Sequence, residues 1–140
     1  MSEYQILKSL QGIFSVIVGV LATFFGDFDG ALKVMLSFVI IDYITGISAA
    51  IMEKRLSSTI GARGIVKKVA IFLVIGMSHM LDMYVMGNTG ALRMMVIIFY
   101  IANEGVSIIE NCTRIGLPVP EKLRDILEQL NNKVVEDEEV

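Results

Sequence analysis

Residues Val34 to Met52 read VMLSFVIIDYITGISAAIM, a run that is apolar or small throughout except for the single charge of Asp42. At a rise of about 1.5 Å per residue, a helix of this length covers the roughly 30 Å hydrocarbon core of a bilayer. A soluble helix would carry a polar face along its whole length, and this stretch has none. Lipid is the solvent it fits.

The same pattern recurs on both sides. Residues 9–26 hold no charge between Lys8 and Asp27, residues 69–87 contain His79 and Asp82, and residues 94–112 contain Glu104 and Glu110. Only 19% of the 140 residues are charged, and the mean hydropathy is +0.67. A soluble domain of this size has about a quarter of its residues charged and spreads its apolar residues in stripes. The expected fold is an all-α membrane protein. It has about four transmembrane helices, near 9–26, 34–52, 69–87 and 94–112, as two antiparallel hairpins within residues 1–115, followed by a short amphipathic cytosolic helix and acidic tail in residues 116–140.

The connectors support the hairpins. Asp27 to Lys33 contains Asp and Gly, and Met86 to Gly90 reads as a Gly-Asn-Thr-Gly turn. The middle connector, Glu53 to Lys68, is longer and basic, with Gly61 and Gly64 among Lys54, Arg55, Arg63, Lys67 and Lys68; it reads as a cytoplasmic loop. Lys and Arg beside spans favour the cytoplasm. With that loop inside, both termini of a four-span chain are also inside, and of the twelve basic residues only Lys33 and Arg93 face out. A three-span chain, with the first or third segment at the interface, is the alternative and puts the ends on opposite sides. The first segment lacks a basic n-region and a small-residue cleavage site, so it is expected to stay attached.

Carboxylates inside spans are costly, at roughly 2.5–3.5 kcal/mol each at a helix centre, so each is informative. Asp42 is followed by Thr45, Gly46 and Ala49 at i+3, i+4 and i+7, giving a helix face that is acidic and then small. His79 and Asp82 are three apart, and Glu104, Ser107 and Asn111 share a face beside Asn103 and Glu110. Asp42 and Glu104 are the leading pore or assembly candidates. For Asp82 and Glu110 the expectation is structural pairing between adjacent helices, Asp82 with Arg93 and Glu110 with Lys67 or Lys68. His79 is expected to be a hydrogen-bonded helix contact, although an imidazole can also sense protons. The acids scattered through the apolar stretches are expected to be shielded from lipid by other copies of the chain.

Other chemistries find little support. The net charge of −3 offers no basic face for nucleic acid, and one cysteine, Cys112, cannot form an internal disulfide. No Cys/His set has metal-ligand spacing, and the Gly61 to Lys68 stretch lacks the order of a phosphate loop. No catalytic residue, cofactor or metal is expected. Asn111-Cys112-Thr113 fits a glycosylation sequon of the kind that arises by chance. At the C-terminal end, Gly116, Pro118 and Pro120 stop the fourth helix and bend the chain. Beyond them, Leu123, Ile126, Leu127, Leu130 and Val134 form an apolar stripe, suited to packing on a partner copy or on the inner helix ends. The run Glu136, Asp137, Glu138 and Glu139 reads as a disordered, solvated tail.

Taken in series, Asp42-Tyr43-Ile44-Thr45-Gly46, then Ser57-Ser58 with Gly61, Gly64, Lys67 and Lys68, then Asn103-Glu104 with Ser107-Ile108 and Glu110-Asn111, and finally Gly116-Leu117-Pro118-Val119-Pro120 with Leu123, resemble the toxin-secretion and phage-lysis holins. The likeness runs from about Asp42 to about Leu130, with Asn103 where an aromatic residue often stands. It implies a phage-encoded protein that accumulates in the host cytoplasmic membrane and then triggers by self-assembly into lesions. Those lesions release or activate an endolysin, or in clostridial relatives accompany the export of large toxins; an antiholin is a further possible partner. The same carboxylates also suit a small ion-channel or transporter subunit, and the amphipathic C-terminal helix suits a membrane scaffold or antiholin. Conductance and co-expression separate these readings.

Overall fold

The computed structural model describes residues 2–138, and the side-chain surroundings of residues 2–133. The chain is all helical there: α1 spans Glu3–Phe25, α2 Gly30–Met52, α3 Ser58–Tyr84, α4 Ala91–Arg114 and α5 Glu121–Glu138. The first four are each long and apolar enough to cross a membrane. The fold class is the one expected from hydropathy.

Helices α1, α2 and α3 each begin where a polar side chain can take up orphan backbone donors. Ser2 and Gln5 form a reciprocal capping box on α1, the Asp29 carboxylate accepts from the Leu32 N–H at 2.9 Å on α2, and Ser57 Oγ accepts from Ile60 N–H at 3.2 Å on α3. The Ser57 cap corrects the expected cytoplasmic loop. Gly61, Gly64, Lys67 and Lys68 lie on the first turns of α3, and the connector shrinks to residues 53–57. Glycine disfavours a free helix, but here Gly64 faces the Tyr43 ring so closely that a Cβ would come within 3.2 Å of it, and packing outweighs propensity. At the far end of α4, Gly116 takes φ +79°, the Leu117 N–H reaches the Cys112 carbonyl at 2.9 Å and the Gly116 N–H that of Thr113 at 3.0 Å. That double closure is the bend expected from Gly116, Pro118 and Pro120.

Helix α4 is the hub. It packs against α2, α3 and α5, while α1 packs along α3 and meets α4 through the hydrogen bond from Arg93 to the Phe25 carbonyl. Leu32, Met35 and Val39 of α2, Ile71 and Ile75 of α3 and Ile97 of α4 form the apolar centre. Helix α1 leans in only at its end, where Phe24 lies on Gly76 and Phe25 meets Phe72 edge-on with ring centroids 6.1 Å apart; residues 2–23 are exposed.

Helix α5 doubles back along the C-terminal half of α4. Leu127 is buried against Gly105, while Leu123 and Ile126 remain exposed and the side chain of Val134 lies outside the described surroundings. Of the two packing modes expected for this helix, it takes up contact with its own bundle. The backbone stays helical through Glu138, so Glu136, Asp137 and Glu138 do not form the disordered end expected; no Gly or Pro follows Pro120 to stop the helix, and Glu is a good helix former. Glu139 lies outside the described residues. A Cβ on Gly105 would stand 2.7 Å from Leu127 Cδ2 and 3.2 Å from Phe38. Gly105→Ala should be absorbed by rotation of Leu127, whereas Gly105→Val wedges two more methyls into the gap at a cost of about 1–3 kcal/mol. The expected outcome is a several-fold rise in tryptic cleavage at Lys122 and Arg124 for the valine variant alone.

Candidate functional site

Asp42 and Glu104 meet at one cation. Lys68, from the third turn of α3, places its Nζ between the Asp42 carboxylate of α2 and the Glu104 carboxylate of α4, and all three side chains are buried. Each residue lies about ten positions from its helix end, roughly 15 Å along the axis, so the cluster falls near mid-bilayer depth. Two carboxylates and one ammonium carry a formal charge of −1 in that setting when fully ionised. In low dielectric an unpaired ion there is far more costly than a paired one, which is why the three are found together.

A second layer closes the cluster from the side of the α4 C-terminus. Asn111 Nδ2 donates to Asp42 Oδ1 at 3.1 Å and to Thr45 Oγ1 at 3.2 Å, while Asn111 Oδ1 accepts from Arg114 at 3.0 Å. Gly46 makes room, since a Cβ there would approach Asn111 Nδ2 to 3.4 Å. Arg114 also clasps Glu53, at 3.0 and 2.8 Å, and Arg55 pairs with the same carboxylate. The hydrogen bond from Arg114, opposed by desolvation and aided by Arg55, holds the Glu53 carboxyl down at about 2. A depressed carboxyl pKa stabilises the fold above the unfolded value and is lost as pH falls through the folded one. This clasp between α2 and α4 therefore persists until the pH drops from about 4.5 toward 2.

At the opposite end the expected Asp82–Arg93 ion pair takes another form. Asp82 accepts the backbone N–H groups of Arg93 at 2.7 Å and Leu92 at 3.3 Å, capping α4 from a distance because its own cap position, Gly90, has no side chain. The Arg93 guanidinium turns away. It donates to the Phe25 carbonyl at 2.8 Å, the Asp27 carbonyl at 2.9 Å and the Asp29 carboxylate at 2.7 Å. At Asp29, burial acts to raise the carboxyl pKa but is outweighed by the Leu32 N–H and by Arg93, and the net shift is downward.

The remaining expected residues divide. Lys68 pairs with Asp42 and Glu104 in place of Glu110, which is exposed, as are Lys67 and Asn103; these three line a cavity beside Glu104 without joining the ion cluster. Ser107 is half-buried on the wall of a cavity that it shares with Asp42 and Asn111. His79 is a helix contact, packed on Gly26 of the first connector, but its buried Nε2 has no hydrogen-bond partner, unlike the bonded contact expected. For Asp42, Asp82 and Glu104, the shielding expected from other copies is supplied by the same chain. Sequence reasoning missed Asp29, Glu53 and Arg114 as structural partners. Their signal was positional: each stands at a helix end, where a charge can reach a neighbouring helix.

Comparison with known proteins adds a family. Residues 19–132 match the family model described as the bacteriophage holin family. The chain is 45% identical over 119 residues to an uncharacterized 14.9 kDa protein of the nagH 3′ region of Clostridium perfringens, covering 84% of this chain and 90% of that one. It is 41% identical over 115 residues to the Lmo0128 protein of Listeria monocytogenes, covering 82% and 81%. A probable holin of Bacillus phage phi105 is 37% identical over 111 residues, covering 77% and 82%. No solved structure matches the chain.

Proposed function

The chain belongs to the bacteriophage holin family, and on that premise we propose that it self-assembles in the bacterial cytoplasmic membrane into lesions that let an endolysin reach the cell wall. The observation that carries this reading is the buried Lys68, Asp42 and Glu104 cluster inside a bundle of apolar helices. A chain that keeps ionic groups at mid-bilayer depth has a polar surface in reserve. Closed within one subunit, the groups are hidden from lipid; repacked between copies, the same helix faces can border water. Asp42, Thr45, Gly46, Glu104, Ser107 and Asn111 are the residues proposed to take that role. His79 and Asp82 stand outside it, toward the other end of the bundle, while Asn103 and Glu110 line a cavity beside Glu104 and Ser107 and are proposed to flank the same face.

The proposed sidedness is N-in and C-in. Support comes from the basic ends of α2, α3 and α4, where Arg55, Arg63, Lys67 and Arg114 gather, against Lys33 and Arg93 at the other ends.

Expression in a bacterium tests the function. Membrane potential should collapse abruptly once the protein has accumulated, and co-expression with an endolysin should lyse the cells. Asp42→Ala and Glu104→Ala should each shift the time of collapse. Accumulation in the membrane to high level with the potential intact would refute the lesion reading, and small ion-selective currents without passage of a folded protein would favour a channel.

A further inference from the structure

A cavity of about 400 Å³ opens between α2, α3 and α4. Five cations line it, Arg55, Arg63, Lys67, Lys68 and Arg114, together with apolar side chains that include Ile47 and Ile60. Two of the acids nearby are already engaged, Asp42 with Lys68 and Glu53 with both Arg55 and Arg114, while Glu110 lines the adjoining cavity beside Lys67 and not this one. Among the described residues no acidic side chain pairs with Arg63 or Lys67, which stand at i and i+4 on one face of α3. The cavity therefore has a positive excess on one side and an apolar wall on the other.

Its depth narrows the occupant. Arg55 lies in the connector and Arg63 in the second turn of α3, so the cavity mouth falls at headgroup level, while Lys67 stands one turn deeper beside Lys68 and reaches toward the mouth along its stem, and Ile47 packs toward Gly61 on the apolar wall. Basic pockets between membrane helices at that level attract anionic headgroups, because phosphate is held by charge and the attached glycerol and acyl chains lie along the apolar side. We infer that this cavity binds the phosphate headgroup of an anionic phospholipid, with Arg63 and Lys67 as its principal contacts and with Arg55 and Arg114 supplying the remainder of the positive field. The inference rests on the membrane location of the chain and is independent of lesion formation.

The chain has no tryptophan, so a single introduced one reports its own surroundings. Leu56→Trp, beside the cavity, and Leu73→Trp, exposed to lipid on α3, are each placed in the full-length protein in phosphatidylcholine vesicles. Quenching by phosphatidylglycerol brominated in its acyl chains, relative to brominated phosphatidylcholine, gives the lipid preference at each position. The expected result is a strong preference for phosphatidylglycerol in Leu56→Trp and near parity in Leu73→Trp. Adding Arg63→Gln and Lys67→Gln should lower the first preference roughly 30-fold, whereas Lys8→Gln and Lys122→Gln, the same charge change elsewhere, should leave it intact. Equal preference at the two reporters, or equal loss with either pair of substitutions, would overturn a built site in favour of diffuse attraction. Abolition of the preference by millimolar inorganic phosphate would assign the cavity to the free anion.

Discussion

Lys68→Met should destabilise the bundle by about 3–5 kcal/mol, the range for breaking a buried ion pair by removing one partner. The substitution keeps the stem volume but leaves Asp42 and Glu104 facing each other without the ammonium that lies between them. Two carboxylates at that separation cannot both stay charged in a low-dielectric setting, so a proton must be taken up or the helices must part. Removing one acid should be far milder. Glu104→Gln leaves one carboxylate and one ammonium, a neutral pair, and Asp42→Asn leaves the same balance while its amide oxygen still accepts from Asn111; about 1 kcal/mol is expected for each, the scale of one hydrogen bond. Glu104→Gln should also rescue Lys68→Met in part, since the double variant holds a single carboxylate that Asn111 already supports. Unfolding of the purified proteins in a denaturing detergent, alongside their accumulation in membranes, measures the series. A Lys68→Met protein as stable as the parent would mean that these acids are neutralised between copies.

The spans were legible because length and hydropathy alone decide whether a segment can cross a bilayer, and Val34 to Met52 needed nothing else. The start of α3 was not. Its glycines and cations carry the local marks of a loop, and only the approach of Gly64 to Tyr43, a contact between residues distant in sequence, makes the helix favourable there. The candidate site shows the same division. That Asp42 and Glu104 would matter followed from the cost of a carboxylate in lipid. That both would meet Lys68 could not be read, because α2 and α4 enter the bundle side by side while their chain neighbours point elsewhere, and the register between helices depends on three-dimensional packing. The pairing expected for Glu110 failed for that reason: Lys68 is taken by Asp42 and Glu104, and Lys67, about 100° round the same helix, shares a cavity with Glu110 without forming an ion pair with it.

Arg93→Ala is expected to release α1 while the α2, α3 and α4 core holds. Helix α1 does not run along α2, so its position depends on its last turn against α3 and the apolar centre and on the guanidinium that gathers the Phe25 and Asp27 carbonyls and the Asp29 carboxylate. Charge-assisted hydrogen bonds are worth about 1.5–3 kcal/mol each, and loss of the set, offset by water reaching the half-exposed Asp29, is expected to cost about 2–4 kcal/mol. Arg93→Lys should recover less than half of it, because a point charge on a flexible stem cannot address three acceptors held in a fixed fork. A disulfide between Thr23→Cys and Met80→Cys, which line one cavity between α1 and α3, reports the docking in a Cys112→Ser background. Its yield should fall several-fold in Arg93→Ala. It should fall similarly in Gly76→Leu, where even the first added carbon would lie 1.9 Å from the Phe24 ring. Undiminished cross-linking in both variants would show that α1 is held by contacts other than these two. A loss confined to Gly76→Leu would place the whole hold in the Phe24 contact and reduce Arg93 to fastening the connector.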